Sequence, residues 1–298
     1  MDVVIREIEA KGIMTKSNLP IGGYSVNPYL GCTHACRYCY ACFMKRFNKH
    51  DEPWGQFLDV KTWPRIRNPR RYAGQRVFIG SVTDPYLPQE EEFRRTRAVL
   101  EQLRGSGARV SIATKSDLVL RDLDLIAEFP GARVSWSVNT LDEAFRADMD
   151  SAPSIERRLA AMEAFHDAGV RTTCFISPIF PGVTDVAAII RRTKGICNLV
   201  WLEDLNLRGG FKGDIMGYIA ERRPELLALY QGIYNKGDRS YWDGLDTEVR
   251  ALCEELGLPY AVNDDSDERP LDAPPLVVNY FDHGKIRGAT AKGAERAR

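Results

Sequence analysis

The sequence has 298 residues, of which 44% are hydrophobic and 28% are charged, so it can bury a sizeable core and is not mainly disordered. Lys and Arg total 41, as do Asp and Glu, and this formal net charge of zero excludes a histone-like protein that coats polyanions. The length fits one large α/β domain or two ordinary domains.

Short apolar runs alternate with amphipathic segments through most of the chain. The predicted strands are Tyr24–Gly31, Arg76–Val82, Arg109–Thr114, Arg133–Val138, Val170–Ile176 and Leu199–Leu205. The predicted helices between them are Ala41–Phe47, Gln89–Leu103, Asp117–Phe129, Ser154–Ala168 and Val186–Thr193. This alternation indicates parallel βα units. The sequence therefore predicts an α/β fold, specifically a partial (β/α)6 TIM-like barrel with a C-terminal extension.

The chain divides into three predicted parts. They are an N-terminal arm over residues 1–23, the barrel over 24–235, and the C-terminal extension over 236–298. Within the extension the sequence predicts a helix over Asp243–Leu256 and a last strand over Pro275–Phe281. From Lys285 onward the chain holds five basic residues and one acid among Gly and Ala, a composition that indicates a flexible basic tail.

Two features bear on the cellular compartment. No apolar run reaches the ~18 residues that a membrane-spanning helix needs. The first segment, MDVVIREIEAKG, is too charged for a signal peptide. We therefore expect a cytoplasmic protein that does not associate with a membrane.

The cysteines are the most informative residues. Four of the seven lie within eleven residues, at Cys32, Cys36, Cys39 and Cys42. The other three, Cys174, Cys197 and Cys253, are scattered in a way that is typical of small buried side chains. An odd cysteine count in such a chain speaks against a disulfide framework. Crowded thiolates instead indicate an iron–sulfur cluster or a zinc ion.

Cys32, Cys36 and Cys39 form a C-x3-C-x2-C motif on the loop after the first predicted strand. Three thiolates can each hold one iron of a [4Fe–4S] cube and leave the fourth iron open to an outside ligand. If Cys42 also binds iron, the protein is instead a closed electron carrier. A four-thiol zinc site is a further alternative, although such sites usually join two separated loops.

Five segments of the chain occur in an order that is known from one enzyme family. They are NPYLGCTHACRYCYA (Asn27–Ala41), IGSVTDPY (Ile79–Tyr86), TKSDLVLRD (Thr114–Asp122), SWSVNTLD (Ser135–Asp142) and SPIFPGVTD (Ser177–Asp185). Over roughly residues 20–210 the sequence resembles the radical S-adenosylmethionine (SAM) superfamily. Within that superfamily it is similar to the spore photoproduct lyase-like branch.

The resemblance implies a set of cofactors and ligands. A [4Fe–4S] cluster would lie on Cys32, Cys36 and Cys39, with SAM on its open iron. The implied SAM contacts are Tyr38 at the adenine, Thr83 and Asp84 at the methionine end, Lys115 at the carboxylate, and Ser135, Ser137 and Asn139 at the ribose or carboxylate. As alternatives, Lys115 is a solvated surface residue and the strand Ser and Asn residues are satisfied polar groups of the core.

Two residues are candidates for a part in the radical chemistry. The resemblance makes Tyr40 a candidate for radical transfer, with simple packing as the alternative. Cys174 is a second candidate if its side chain points into the barrel. The repair enzymes of the family carry an additional cysteine after the second strand, at about Ser81 of this chain. The resemblance therefore implies that the substrate radical has a different fate here.

The resemblance also implies the reaction. The enzyme would reductively cleave SAM to a 5′-deoxyadenosyl radical for hydrogen abstraction, in a lyase- or transferase-like reaction, with an electron from a flavodoxin- or ferredoxin-like donor. Residues 61–76 carry six positive charges and no acid, so a nucleic-acid base or nucleotide is the leading substrate. A solvated basic face is the alternative role of this segment. A small molecule or a peptide is the alternative substrate.

Overall fold

The computed structural model describes residues 3–17, 22–47, 50–207, 209–262 and 269–281. The strands are β1 Val4–Glu9, β2 Thr15–Lys16, β3 Tyr24–Val26, β4 Tyr29–Leu30, β5 Phe57–Thr62, β6 Arg76–Ile79, β7 Arg109–Thr114, β8 Arg133–Ser137, β9 Arg171–Ile179, β10 Leu199–Asp204, β11 Tyr260–Ala261 and β12 Leu276–Asn279. Two compact units contain them, the first comprising Met1–Ser137 and Asp142–Thr173, the second Val138–Leu141 and Cys174–Arg298.

Helices connect these strands. The α-helices are α1 Glu90–Phe93, α2 Arg95–Leu103, α3 Leu123–Ala127, α4 Glu143–Met149, α5 Ile155–Asp167, α6 Val186–Thr193, α7 Phe211–Arg222, α8 Leu227–Lys236 and α9 Ser240–Leu256. The 3₁₀ helices are Tyr40–Phe47, Pro69–Tyr72, Leu118–Asp122 and Pro224–Leu226. Within the described ranges, no helix combines the length and the apolar character that crossing a bilayer requires.

The main sheet of the first unit is parallel and has one face against helices. Strands β3, β6, β7 and β8 are adjacent in that order, with Ser25 beside Phe78, Phe78 beside Ser111, and Ala113 beside Ser135. The Trp136 ring contacts the Phe165 ring of α5 at 5.4 Å between centroids. Because side chains alternate along a strand, Ser135 and Ser137 lie on the opposite, half-buried face of β8. On β8 this inner face is therefore lined by small polar side chains.

The segment that we predicted to be an N-terminal arm contains a strand. β1 runs parallel to β5, with Val4 opposite Phe57, and β4 pairs with the other edge of β5. The basic segment 61–76 also contains regular structure, because Lys61 and Thr62 end β5 and Pro69–Tyr72 forms a 3₁₀ helix. The partner of β1 lies about fifty residues away in the sequence. A local pattern could not reveal that pairing.

The second unit continues the strand and helix alternation. β12 runs parallel to β10, with Leu199 beside Leu276, and β11 adds to the other edge of β12. The predicted last strand Pro275–Phe281 is thus present as β12. The α/β fold class, with the parallel strands of a partial (β/α)6 TIM-like barrel, is confirmed. The three-part division of the chain stays a prediction, and the predicted basic tail from Lys285 onward lies outside the described residues.

The predicted helix over Gln89–Leu103 is in fact two helices, and a buried carboxylate explains the break. Arg94 has a φ of 50° and separates α1 from α2. Glu90 accepts hydrogen bonds from the backbone N–H groups of Thr96 (3.0 Å) and Arg97 (3.2 Å) in the first turn of α2. It also accepts hydrogen bonds from the Tyr29 hydroxyl and from the guanidinium of Arg121, whose Nη2 lies 2.7 Å from Oε1. Glu90 therefore supplies the negative charge that a helix N-terminus favours.

Three helices were not predicted. α4 begins after Asp142, whose carboxylate accepts the backbone N–H groups of Ala144 and Phe145. This is an ordinary N-cap signal that could have been recognised in the sequence. α7 and α8 carry less distinct apolar periodicity, and their packing in the second unit decides their conformation.

Candidate functional site

The cysteine loop begins at a glycine that no other residue could replace without strain. Gly31 has a φ of +88°, and a Cβ atom there would lie 2.3 Å from the carbonyl oxygen of Phe57. The loop then docks on the segment after α4 through two backbone hydrogen bonds, from Arg37 N–H to Met149 C=O (2.9 Å) and from Ser151 N–H to His34 C=O (2.7 Å). The fold thus holds the middle of the motif, between Cys32 and Cys39.

The three thiols of the motif lie close to one another in a dry environment. Cys32 is buried, and Cys36 and Cys39 are half-buried. Burial raises the pKa of Cys32 well above its usual value, and the neighbouring thiols Cys36 and Cys39 raise it further. Burial likewise raises the pKa of Cys36 to about 12, against the opposing effect of Lys115. Loss of these thiol protons therefore needs a compensating cation, which the irons of a cluster would supply.

Hydrogen-bond donors around the sulfurs also suit thiolate ligands. The backbone N–H of Asp84 points to Cys32, and that of Ala41 points to Cys39, and each interaction lowers the thiol pKa. Second-shell donors of this kind tune iron–sulfur sites. No three His, Cys, Asp or Glu side chains in the described ranges are arranged to hold a metal ion. The three thiols of the motif are nevertheless candidate iron ligands, because of their spacing in the sequence, their proximity and the hydrogen-bond donors around them.

Asp84 serves the protein scaffold with both of its carboxylate oxygens. Oδ1 accepts the Thr114 hydroxyl (2.7 Å) and the Tyr86 N–H (2.9 Å), and Oδ2 accepts the Lys115 N–H (2.7 Å). His34 Nε2 lies 3.3 Å from Oδ2. Burial would raise the pKa of Asp84, but His34 and these hydrogen bonds lower it to about 2. The ionised carboxylate thus connects the loop after β6 to the end of β7.

The hydroxyl of Thr83, the other residue predicted for the methionine end of SAM, also contacts the scaffold. It donates to the Gly31 carbonyl oxygen at 2.6 Å and so joins the loop after β6 to the start of the cysteine loop. Thr83 and Asp84 therefore shape the site through the protein. Their contact with the methionine end of SAM stays a prediction.

Lys115 lies beside the cysteine loop. It is half-buried, and its Nζ atom is 5.7 Å from the centroid of the Tyr38 ring. Burial lowers the pKa of its ammonium, but the Cys36 thiol and the Asp150 carboxylate outweigh burial, and the pKa is raised. The side chain thus stays a cation next to the aromatic residue of the motif.

A buried ion pair between Asp150 and Arg158 holds the Tyr38 hydroxyl, and this pair was not predicted from the sequence. The Tyr38 hydroxyl donates to Asp150 Oδ2 (3.0 Å), and Arg158 Nη2 donates to Asp150 Oδ1 (2.9 Å). Arg158 also donates to the backbone oxygens of Pro153 and Ser137. Both charged side chains are fully buried. Arg158 falls in the apolar stripe of α5, and a lone arginine in such a stripe was the available signal.

The polar residues of the β8 region lie in two environments. Ser135 and Ser137 are half-buried on the inner face of β8. Asn139, two residues beyond the strand, belongs to the second unit and is buried. Its Nδ2 atom has no hydrogen-bond partner among the described residues, while its backbone oxygen accepts the Thr184 hydroxyl at 2.8 Å. A buried amide donor of this kind fits a ligand that brings its own acceptor.

The two candidates for radical chemistry lie in contrasting places. Tyr40 is 62% exposed, and its hydroxyl donates to the carbonyl oxygen of Ser81. Cys174 is completely buried beside Thr193 of α6 and Cys197. It therefore lies on the helix-facing side of β9. This orientation points the thiol away from the inner face of β9, and a catalytic role for Cys174 stays a prediction.

Comparisons with known proteins agree with this arrangement of strands and cysteines. A family model described as the Radical SAM superfamily matches residues 26–191. An uncharacterized protein of Methanocaldococcus jannaschii is 35% identical over 236 residues, which cover 78% of this chain and 88% of the relative. An uncharacterized protein of Mycobacterium tuberculosis is 30% identical over 282 residues, covering 85% of this chain and 77% of the relative.

Solved structures show the same fold at low sequence identity. A spore photoproduct lyase variant with bound AdoMet and dinucleoside spore photoproduct superimposes with a TM-score of 0.56 and 16% identity. The match covers 74% of this chain and 67% of the lyase. A more distant sequence relative, 22% identical over 185 residues, is the Radical SAM Nalpha-GlyT isomerase of Pseudomonas phage M6. This match covers 60% of this chain and 37% of the isomerase.

Proposed function

Because this chain belongs to the radical SAM superfamily, whose members use SAM and a [4Fe–4S] cluster, we propose that it generates a radical from SAM to abstract hydrogen from a nucleobase or nucleotide. The observation that carries the proposal is the three-thiol loop beside Lys115 and Tyr38. When bound, the cluster supplies one electron that cleaves SAM to methionine and a 5′-deoxyadenosyl radical. The electron comes from an external flavodoxin- or ferredoxin-like reductant.

The residues of this chain would divide the work. Cys32, Cys36 and Cys39 would each hold one iron, with Cys32 buried and the other two thiols half-buried. Tyr38 offers a ring to the adenine, fixed by its hydrogen bond to Asp150. Lys115 places a positive charge for the carboxylate of SAM. Free thiols at all seven cysteines suit a reducing compartment, so we keep the cytoplasm as the proposed location.

Hydroxyl and amide groups would complete the SAM site. Ser135 and Ser137 present hydroxyls on the inner face of β8, and the Asn139 amide has a free donor among the described residues. These groups suit the ribose or the carboxylate of SAM. Thr83 and Asp84 would act indirectly by holding the cysteine loop and the loop after β7.

An electron carrier without enzymatic activity is the second candidate, because Cys42 lies next to Cys39. Electron paramagnetic resonance (EPR) of the reduced, reconstituted protein separates the two functions. Addition of SAM changes the signal of a cluster with an open iron and leaves that of a fully ligated cluster unchanged. We expect a change. An identical signal with and without SAM would favour the carrier.

Removing the ammonium of Lys115 should weaken SAM binding and leave the cluster in place. A charge-assisted contact of this kind contributes roughly 1.5–3 kcal/mol, so Lys115→Ala should reduce SAM affinity about ten- to a hundredfold. Equilibrium dialysis with labelled SAM measures this affinity, and Lys16→Ala, on an exposed strand of the same unit, is the control. Equal affinity in the wild type and in Lys115→Ala would contradict the assignment.

The nucleic-acid part of the proposal is supported by an arginine surface, formed by Arg65, Arg67, Arg70 and Arg71. All four side chains are exposed. Within the described part of the chain, no carboxylate lies within ion-pair distance of any of them, whereas Arg104, for example, pairs with Glu128. Exposed arginines without acidic partners favour phosphate groups. The surface therefore fits the backbone of a polynucleotide.

Changing these four arginines to Gln should weaken the binding of a fluorescent single-stranded oligonucleotide and flatten its salt dependence. Each lost phosphate contact lowers the slope of log K against log salt by about 0.7. The control variant carries Gln at four exposed basic positions elsewhere, Arg192, Lys194, Arg222 and Lys236. Fluorescence anisotropy measures both affinities. Equal salt slopes for the two variants would mean that this surface does not contact the nucleic acid.

A further inference from the structure

The second unit has a surface with aromatic and acidic side chains that the SAM site does not use. On β9, Cys174 and Ile176 are fully buried toward the helices, and Phe175 and Ser177 are half-buried on the opposite face. On β10, Leu202 is fully buried, whereas its neighbours Trp201 and Glu203 are half-buried. The contacts described next place these four half-buried side chains on one face, the inner face of the strands.

Three aromatic rings follow one another across this face. The Phe175 and Trp201 ring centroids are 6.5 Å apart, and those of Trp201 and Tyr280 are 4.8 Å apart. The backbone N–H of Tyr280 donates to Leu202 C=O at 2.9 Å, which fixes the third ring beside β10. Each ring is half-buried, so each keeps part of its surface open. The row forms a shelf on which a planar group can stack.

A carboxyl group stands next to the shelf, two residues nearer the carboxyl ends of the strands. Glu203 Oε2 accepts the hydroxyl of Ser177 at 2.7 Å. Burial raises the pKa of Glu203, the Ser177 hydrogen bond opposes this, and Asp204 adds to the rise. In the described part of the second unit, no basic side chain pairs with Glu203. Because burial disfavours the ionised form of Glu203, further hydrogen-bond donors would stabilise its carboxylate, and a ligand can provide them.

We propose that the aromatic shelf of Phe175, Trp201 and Tyr280, together with Glu203, forms the substrate-recognition site and binds a heterocyclic base through an N–H edge. The base stacks on the rings while Glu203 accepts hydrogen from its edge, as acidic side chains do from exocyclic amines of bases. The negative charge that Glu203 carries when ionised disfavours a phosphate group at this end of the site. This inference rests on the proposed function and names the part of the substrate that the second unit recognises.

Donor-blocked bases test this site directly. The probes are the dinucleotides TpT, CpC, GpG and ApA and their analogues with every base N–H methylated, titrated into the reconstituted protein with SAM and without reductant. We expect that at least one dinucleotide binds and that its blocked analogue binds about tenfold more weakly, the loss of one charge-assisted hydrogen bond. Glu203→Gln should weaken the binding of the unblocked dinucleotide about tenfold. In this variant the affinities of the blocked and unblocked dinucleotides should differ about threefold or less.

Two further variants separate edge recognition from stacking and from general acidity. Trp201→Leu should weaken the binding of the blocked and the unblocked dinucleotide by the same factor, because stacking does not depend on the N–H edge of the base. Glu225→Gln, an exposed acid of the same unit, should change neither affinity. Variants are compared only where circular dichroism shows an unchanged thermal midpoint. If Glu203→Gln alters the fold, the affinities of the blocked and unblocked dinucleotides for the wild-type protein still test recognition of the N–H edge.

Failure of this inference and failure of the proposed function give different results. Equal binding of blocked and unblocked probes would overturn the recognition site alone. If the protein still changes its EPR signal with SAM but binds no dinucleotide, the recognition site and the nucleobase substrate are both overturned, and the SAM chemistry stands. Absence of a SAM-responsive cluster would overturn the proposed function, and the dinucleotide titration reports on the shelf separately.

Discussion

Alanine at Cys32, Cys36 or Cys39 will abolish the iron–sulfur cluster, whereas Cys42→Ala will retain about four irons per chain, as expected for a [4Fe–4S] cluster. Each of the first three thiols holds one iron in our account, and the loop offers no substitute ligand at those corners. Cys42 lies one turn further along, in the 3₁₀ helix Tyr40–Phe47, and is half-buried like Cys36 and Cys39. Its thiol is therefore a matched control in the same segment.

Iron and sulfide analysis after anaerobic reconstitution measures this result, with the absorbance near 400 nm as a second readout. The three motif variants should lose most of their iron, and Cys42→Ala should match the wild type. Loss of the cluster in Cys42→Ala would indicate a fourth thiolate ligand. That outcome would favour the closed carrier over the enzyme.

Breaking the buried pair of Asp150 and Arg158 should have the second large effect, on stability. Arg158→Met removes the cation and leaves the Asp150 carboxylate buried without its charge partner. Such a change costs about 3–5 kcal/mol in the free energy of unfolding. The same variant should loosen Tyr38, whose hydroxyl donates to Asp150. We therefore expect weaker SAM binding even where the variant is folded.

Urea denaturation followed by circular dichroism measures the free energy of unfolding. The neighbouring Arg157→Met is the control, because Arg157 is exposed and its pair with Asp117 is worth about 0–1 kcal/mol. Similar losses in Arg157→Met and Arg158→Met would show that the buried pair contributes no more than a surface pair. A folded Arg158→Met protein with unchanged SAM affinity would show that the pair of Asp150 and Arg158 does not contribute to SAM binding.

The parts of the fold that local patterns encode were predictable. The predicted strand Arg109–Thr114 matches β7 residue for residue, since buried Val110 and Ile112 alternate with less buried residues along it. The helix Val186–Thr193 is likewise confirmed over its predicted length. The predicted helix at Gln89–Leu103 was wrong at Arg94, where the buried carboxylate of Glu90 starts a new helix. That carboxylate acts through contacts that form only in the folded chain.

The candidate site divides in the same way. The cysteine motif can be recognised locally because its ligands share one loop. The support of Tyr38 by Asp150 depends on residues more than a hundred positions apart, and the pairing of Ser177 with Glu203 joins two strands. The facing of Cys174 also needed the structure, because a strand with buried residues on both sides shows no alternation in sequence.

The central claim is that this chain cleaves SAM, and product analysis tests it most directly. The anaerobically reconstituted protein is incubated with SAM and dithionite, and 5′-deoxyadenosine is measured by chromatography, with Cys36→Ala as the control. We predict slow release of 5′-deoxyadenosine by the wild type even without substrate, and none above background by the variant. A wild-type protein that carries about four irons per chain and yet forms no more 5′-deoxyadenosine than Cys36→Ala would contradict the account.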